Sequence, residues 1–254
     1  MKYVGSKNRI SKFIVPYIQD CIDDNEIVNY IEPFVGGFNV IDKIQCSKRI
    51  GNDVDCLTID LVKKAQSNPA FLDTLPVPYP TKEEYYNIRD NADNYDKAYR
   101  AAILLFASYN SRVYGGCYGA FAKIKDGTIR NYFNEAKNNF LKQVPQLKDI
   151  ETSCKDYKSL NIAVNSMVYC DPPYASGIGY SSNFNTEEFW EWVRKESKDS
   201  YVLVSEYEAP DDFISIWSMD VKTHMNNRGK LKKVEQLFTY KEGKYAEYFK
   251  YRKD

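Results

Sequence analysis

Four consecutive residues, Asp171-Pro172-Pro173-Tyr174, carry the sharpest chemical signal in this sequence. Two prolines remove two backbone donors and fix two φ angles, so the chain there is rigid and its carbonyls stay available as acceptors. An exocyclic aromatic amine has two N–H donors and a lone pair delocalised into its ring, which makes it a poor nucleophile. The Asp171 carboxylate can accept one N–H, and a main-chain carbonyl of the motif, taken to be that of Pro172, can accept the other. Both bonds draw the nitrogen toward tetrahedral geometry. They also offset the positive charge that grows as the nitrogen attacks an electrophilic carbon. Tyr174 offers a flat ring on which an unpaired base can stack. A turn that simply ends a strand has the same composition.

A second feature is Glu32-Pro33-Phe34-Val35-Gly36-Gly37. Its glycines let the backbone approach a cofactor closely before a helix begins. Asp53 follows about twenty residues after that turn, where nucleotide-type folds grip a ribose diol. The third feature is Tyr3-Val4-Gly5-Ser6-Lys7. It reads either as a helix cap or as a ligand flap with Lys7 near a carboxylate or phosphate.

These residues need elements to hold them. Met167-Val168-Tyr169-Cys170 reads as a short buried strand, which puts Asp171 at a carboxyl end facing the ligand crevice of an open α/β sheet. Ile10, Phe13, Ile14, Tyr17, Ile18 and Cys21 share one helical face over residues 10–21. A strand follows at 27–31, a helix at 39–45 and a second short strand at 49–53. Beyond residue 60 the pattern changes. Thr81 and Glu84 form a capping-box signature, helices are predicted at 82–91 and 95–108, and Asp126-Gly127 marks a hairpin within 121–133. The α/β pattern resumes near 150, with a helix at 187–195 capped by Thr186, a strand at 201–205, and strands around Trp217 and at 234–240. The expected fold is α/β: a Rossmann-like sheet with helices on both faces, built from 1–55 and 150–254. A helical and hairpin insert, 56–149, interrupts it.

The 254 residues are 43% apolar and 28% charged, in the range of a soluble globular protein. Thirty-five basic and thirty-five acidic residues cancel, which excludes a uniformly basic coat but not a local basic face. Ala101-Ala102-Ile103-Leu104-Leu105-Phe106-Ala107 is the longest wholly apolar run and too short to span a bilayer, and the first residues have no signal-peptide pattern. Cys21, Cys46, Cys56, Cys117, Cys154 and Cys170 form no C-x-x-C pair, and His224 is the single histidine. No metal site and reduced intracellular thiols are therefore expected.

Together these motifs resemble the DNA adenine methylase (Dam-type) family of N6-adenine methyltransferases. Segments 184–189 and 234–238 are similar to that family as well. The order also matches: cofactor motif, target-recognition insert, catalytic motif. The resemblance implies S-adenosylmethionine as cofactor and methyl transfer to adenine N6, with Asp171, Pro172, Pro173 and Tyr174 as the catalytic set. It implies cofactor contacts from Tyr3, Val4, Gly5, Ser6, Lys7, Glu32, Pro33, Phe34, Val35, Gly36, Gly37, Asp53, Asp156, Tyr157 and Asp171. Among them Asp53 matches the ribose acid, and Asp171 the residue at both cofactor and target amine. The family usually has a third small residue after the glycine pair, whereas Phe38-Asn39 stand here.

Methylation inside a duplex requires the base to be extruded, at a cost of a few kcal/mol. Lys2, Lys123, Lys125, Arg130, Arg228 and Lys230 are candidate phosphate contacts, alongside Lys222, Lys232 and Lys233. Tyr109, Asn110, Arg112, Tyr114 and Tyr118 combine base-edge readers with flat rings, and Tyr114 or Tyr118 could wedge into the stack. Double-stranded DNA is the expected partner, together with a cognate restriction endonuclease. The expected place is the cytoplasm of a bacterium or of a phage's host. The sequence leaves the oligomeric state open and is compatible with a monomer. Two alternatives share the signals: N4-cytosine methylation, and a non-catalytic DNA-binding module on the same fold. A nicotinamide-dependent oxidoreductase shares the α/β opening but would need a third glycine that is missing here.

Overall fold

A computed structural model describes residues 1–113, 116–173, 184–222 and 232–251. In chain order its helices and strands are α1 (Ser11–Asp24), β1 (Asn29–Glu32), β2 (Lys48–Asp53), α2 (Cys56–Ser67), α3 (Lys82–Asp90), α4 (Lys97–Ala107), β3 (Phe121–Lys123), β4 (Ile129–Asn131), α5 (Tyr132–Leu147), β5 (Ile150–Cys154), β6 (Met167–Cys170), α6 (Thr186–Glu196), β7 (Tyr201–Glu206), β8 (Phe213–Lys222), β9 (Lys232–Tyr240) and α7 (Lys244–Tyr251). Seven strands form one sheet in the order β5-β2-β1-β6-β7-β9-β8, and β3 and β4 form a separate hairpin. β1 runs parallel to β2 and β6, and β6 parallel to β7; β9 is antiparallel to both β7 and β8. This is the mixed, mostly parallel α/β sheet expected from the strand spacing.

Two compact units divide the chain. One comprises Met1–Ser11, Val35–Lys43 and Asp53–Cys154; the other comprises Lys12–Phe34, Ile44–Asn52 and Lys155–Asp254.

In the second unit the central strands are apolar and buried, as strands covered on both faces must be. Phe189, Trp190, Trp192 and Val193 of α6 pack with Val168, Cys170, Val202, Val204, Phe213 and Phe238 in one apolar cluster. The cap of α6 is Asn185, whose side chain accepts from the N–H groups of Glu187 and Glu188. The expected cap, Thr186, is instead the first helical residue.

In the first unit α4 is buried on every side from Ala101 to Ala107, as a helix apolar all round should be. Phe106 meets Phe133 and Phe140 of α5 at 6.1 and 5.8 Å between ring centroids. The capping box of α3 is present: Glu84 N–H donates to Thr81 Oγ1 at 3.1 Å, and Thr81 N–H to Glu84 Oε2 at 2.6 Å. Of the helix expected at 39–45, only Ile41–Lys43 forms, as one 3-10 turn. Cys56 and Cys154 are joined as a disulfide with their Cα atoms 5.4 Å apart, against the expectation of reduced thiols. That spacing lies within the normal range for a bridge. Among the described residues no helix is long and apolar enough to cross a membrane.

Candidate active site

Within the first unit the candidate site centres on Asp53, at the carboxyl end of β2. It is 9% exposed. Gly36 N–H donates to its Oδ2 at 2.8 Å and Asp55 N–H to its Oδ1 at 2.9 Å. Burial pushes the carboxyl up to about 6, and the bonds from Asp55 and Gly36 pull it back in part. A carboxylate has about four lone-pair sites, so it can accept from a ligand hydroxyl beyond these main-chain donors.

Gly36 has φ +47°, and a Cβ there would stand 2.9 Å from Tyr3 Cε1. At Gly37 a Cβ would come within 2.8 Å of Tyr3 Cβ and 2.4 Å of Asn39 Nδ2. The ring of Tyr3 therefore lies against the glycine turn, and larger residues at 36 or 37 would displace it. The N-terminal segment is tied down by two residues outside the expected set. Asn39 donates to Met1 O at 2.9 Å and to Ser6 Oγ at 2.8 Å, and its Oδ1 accepts from the Met1 amine at 2.8 Å. Gln143 accepts from the same amine and donates to Phe38 O at 2.8 Å.

Ser6 caps a short turn by accepting from Asn8 N–H at 3.2 Å. Val4 is half-buried, Gly5 is exposed at φ +74°, and Lys7 is buried. Val35 is buried. Phe38 is fully buried, so the bulky residue after the glycine pair fills core rather than solvent-facing space. One signal could have found Asn39 and Gln143. Both are long-armed amides at positions the apolar pattern reserves for core.

Within the second unit, Asp171 follows the fully buried β6 and is itself partly exposed, with Pro172 buried and Pro173 half-buried. Tyr174 lies outside the described residues. Beneath the motif Tyr169 Oη and Ser205 Oγ are 2.7 Å apart, and Tyr30 donates to Glu32 Oε1 at 2.6 Å. Glu32 is buried. Burial first, and then the charge of Asp171, holds both the Tyr169 phenol and the Cys170 thiol well above their usual values. Those groups stay neutral and offer no competing nucleophile.

Asn52 donates to Pro33 O at 3.0 Å and to Lys155 O at 2.9 Å, and accepts from Lys155 N–H at 3.2 Å. It thereby fixes the turn after β1 against the segment entering Asp156. Asp156 is exposed and caps the next turn through Lys158 N–H at 2.9 Å. The ring of Tyr157 lies 5.2 Å from Phe34 and 5.3 Å from Trp192, and Phe34 lies 5.6 Å from Phe189. Tyr157 is buried and its ring is tilted 41° to that of the half-buried Phe34, so the two belong to one aromatic cluster.

The residues expected at DNA belong mostly to the first unit. Tyr109 is 64% exposed, and Asn110 and Arg112 are exposed beside it. Tyr109 N–H donates to Cys117 O at 2.8 Å and Gly119 N–H to Ala107 O at 2.7 Å, which closes the base of this loop. A Cβ at Gly119 would meet Tyr109 Cα at 2.7 Å, so the closure requires glycine. Asn110 and Ser111 have φ of 54° and 55°, a left-handed tip that non-glycine residues seldom adopt. Tyr118, by contrast, donates to Pro80 O at 2.6 Å and leans on Tyr85 at 5.7 Å.

Lys123 and Lys125 are exposed on the hairpin. Arg130 makes a bidentate pair with Glu135 at 2.8 and 2.9 Å and lies 4.9 Å from the Tyr132 centroid, with Lys2 5.8 Å from the same ring. Tyr114, His224, Arg228 and Lys230 lie outside the described residues.

Comparison with known proteins adds a family. The model described as D12 class N6 adenine-specific DNA methyltransferase matches residues 3–238. The chain is similar to the Type II methyltransferase M.MjaIII of Methanocaldococcus jannaschii, 29% identical over 206 residues covering 68% of each chain. It is 23% identical over 251 residues to the Type II methyltransferase M.FokI of Planomicrobium okeanokoites, covering 90% of this chain and 34% of that one. To the DNA N-6-adenine-methyltransferase of Escherichia phage P1 it is 26% identical over 191 residues, covering 68% of this chain and 23% of that one. The chain therefore spans about two thirds of the first of these relatives, about a third of the second and less than a quarter of the third.

Proposed function

Because the chain belongs to the family of D12 class N6 adenine-specific DNA methyltransferases, we propose that it moves the methyl group of S-adenosylmethionine onto N6 of an adenine extruded from double-stranded DNA. The observation that carries this reading is Asp171-Pro172-Pro173 at the open end of a wholly buried strand. Asp171 accepts one N–H of the target amine and Pro172 O the other, while Tyr174 stacks on the base. These acceptors stabilise the charge that develops on nitrogen. No general base is needed, because the methylated nitrogen is acidic enough to lose its extra proton to water afterwards.

The family requires a methyl donor, and the residues fit S-adenosylmethionine. Asp53 has the charge to accept from a ribose diol, and the half-buried ring of Phe34 offers apolar area for an adenine ring. When bound, the donor supplies an electrophilic methyl carbon on a sulfonium. The segment Tyr3-Val4-Gly5-Ser6-Lys7 covers the glycine turn at Gly36 and Gly37 and restricts water there. Glu32, Pro33, Val35 and Asp156 shape the surrounding backbone.

In this reading 1–55 and 150–254 perform the chemistry and 56–149 recognises the target. Tyr109, Asn110 and Arg112 approach bases, and Lys2, Lys123 and Lys125 approach phosphates. Arg130 would have to exchange Glu135 for a phosphate. The modification would protect DNA in the cytoplasm of a bacterium or of a phage's host from an endonuclease of the same specificity.

The test is transfer of labelled methyl from S-adenosylmethionine to DNA by the wild type and by Asp171→Ala. A loss of about a hundredfold or more in a variant with an unchanged circular dichroism spectrum is expected. Full activity in that folded variant would refute the assigned role.

A further inference from the structure

Tyr207 follows β7, the strand beside β6, and Lys233, counted above only among the candidate phosphate contacts, stands on β9, the next strand of the sheet. β6 and β7 pair in parallel with Cys170 opposite Val204. Continued three places, that register takes one chain to Pro173 and the other to Tyr207. β9 runs antiparallel to β7 with Glu206 opposite Gln236, so the first residues of β9 arrive at the same rim. The Lys233 ammonium stands 4.2 Å from the Tyr207 ring centroid. Tyr207 is half-buried, and Gln236 Nε2 donates to its carbonyl at 2.8 Å, so the backbone carrying the ring is held in place. The backbone register of β8 and β9 also brings Lys222 opposite Lys232 and Val221 opposite Lys233. A rim of lysine positions thus borders an aromatic ring next to the amine-binding motif.

We infer that Tyr207 and Lys233 form a second grip on the extruded nucleotide, with the ring contacting the base or its sugar and the ammonium meeting the adjoining phosphate. This deepens the methyltransfer reading above and rests on it. Flat rings hold unpaired bases without sequence preference, and lysine answers phosphate as a point charge. Tyr207 and Lys233 would be nucleotide-positioning residues. They touch no reacting atom, so their effect falls on the DNA KM and on its salt dependence.

The experiment uses the full chain with labelled S-adenosylmethionine and genomic DNA from a host lacking the modification. Tyr207→Ala should raise the DNA KM about tenfold, and Tyr207→Phe should restore it, because the ring and not the hydroxyl makes the contact. Lys233→Gln should leave the KM for S-adenosylmethionine unchanged and flatten the dependence of log DNA affinity on log salt by about 0.9. A purely structural role would lower thermal stability and leave that slope alone. Should Tyr207→Ala fail to fold, Lys233→Gln on the strand edge still decides. An active wild type whose Lys233→Gln variant keeps the full salt slope, or whose folded Tyr207→Ala variant keeps its DNA KM within twofold, overturns this inference alone. A wild type that transfers no methyl overturns the reading beneath it.

Discussion

Two of the acids at strand ends in this molecule stand in opposite settings, Asp53 on β2 and Asp171 after β6. Asp53 is enclosed, and each of its oxygens already receives a main-chain N–H. Asp171 is partly exposed and is followed by two prolines, which have no N–H to give it. The difference lies in the neighbouring residues rather than in the acids. A turn rich in N–H groups fixes a carboxylate in place and suits it to grip a ligand's ground state. A Pro-Pro turn contributes only acceptors and suits the motif to a group that arrives with hydrogens to donate, such as an aromatic amine.

Substitutions at the two acids separate these roles. Asp171→Asn keeps one acceptor oxygen but loses the full negative charge, so single-turnover methyl transfer should slow by about a hundredfold with stability unchanged. Asp53→Asn should act on the donor instead, raising its KM about tenfold while kcat stays within a few-fold. Equal losses in kcat for the two variants would erase the distinction.

The raised pKa of Asp53 gives the contrast a pH signature. Its folded value, about 6, lies above the unfolded value near 3.8. The protonated form therefore favours folding, and this contribution, complete below about 3.8, is lost as pH rises through about 6. Donor binding needs the ionised form and strengthens over the same interval. Thermal scans from pH 4 to 7 should show the wild type losing stability relative to Asp53→Asn, while the donor KM of the wild type falls.

Smaller effects come from the supports. Asn52→Ala removes three hydrogen bonds from a buried site and should cost about 2–3 kcal/mol in denaturant unfolding. In the loop that follows α4, Tyr118→Phe should cost about 1 kcal/mol, through the lost bond to Pro80 O. Tyr109→Ala should change stability by no more than about 0.5 kcal/mol and raise the DNA KM instead. A reversal of those last two would exchange the roles of the two tyrosines.

Much of the scaffold was legible in the sequence because its strands are short apolar runs bounded by acid, proline or glycine. β1, β2, β6 and β7 lie within two residues of where that pattern put them. The capping box of α3 and the hairpin around Asp126-Gly127 were also readable, since both depend on local chemistry alone.

Where tertiary contacts decided, sequence reading failed. Residues 39–45 have helical composition, but Asn39 spends its side chain on Met1 and Ser6 and Phe38 takes φ +58°, leaving one short turn. α5 was hidden behind the hairpin signal, although Phe133, Ala136, Phe140, Gln143 and Leu147 recur at helical spacing. α2 is capped by Asp55, which accepts from Leu57 N–H, a signal that the neighbouring Asp53 obscures. The Cys56–Cys154 bridge joins residues 98 apart, a pairing that spacing alone does not reveal. At the candidate site, Asp53 and Asp171 stand at the strand ends that the sequence pattern assigns them. Among the supporting amides, Asn39 and Gln143 show in the sequence only as polar residues at core positions, and Asn52 not at all, because their partners lie far along the chain.

The most direct measurement is the identity of the modified base. DNA treated with the purified chain and S-adenosylmethionine should, after digestion to nucleosides and chromatography, yield N6-methyladenine, and none when Asp171→Ala replaces the wild type. N4-methylcytosine in its place, or N6-methyladenine made equally well by the folded variant, would contradict the account.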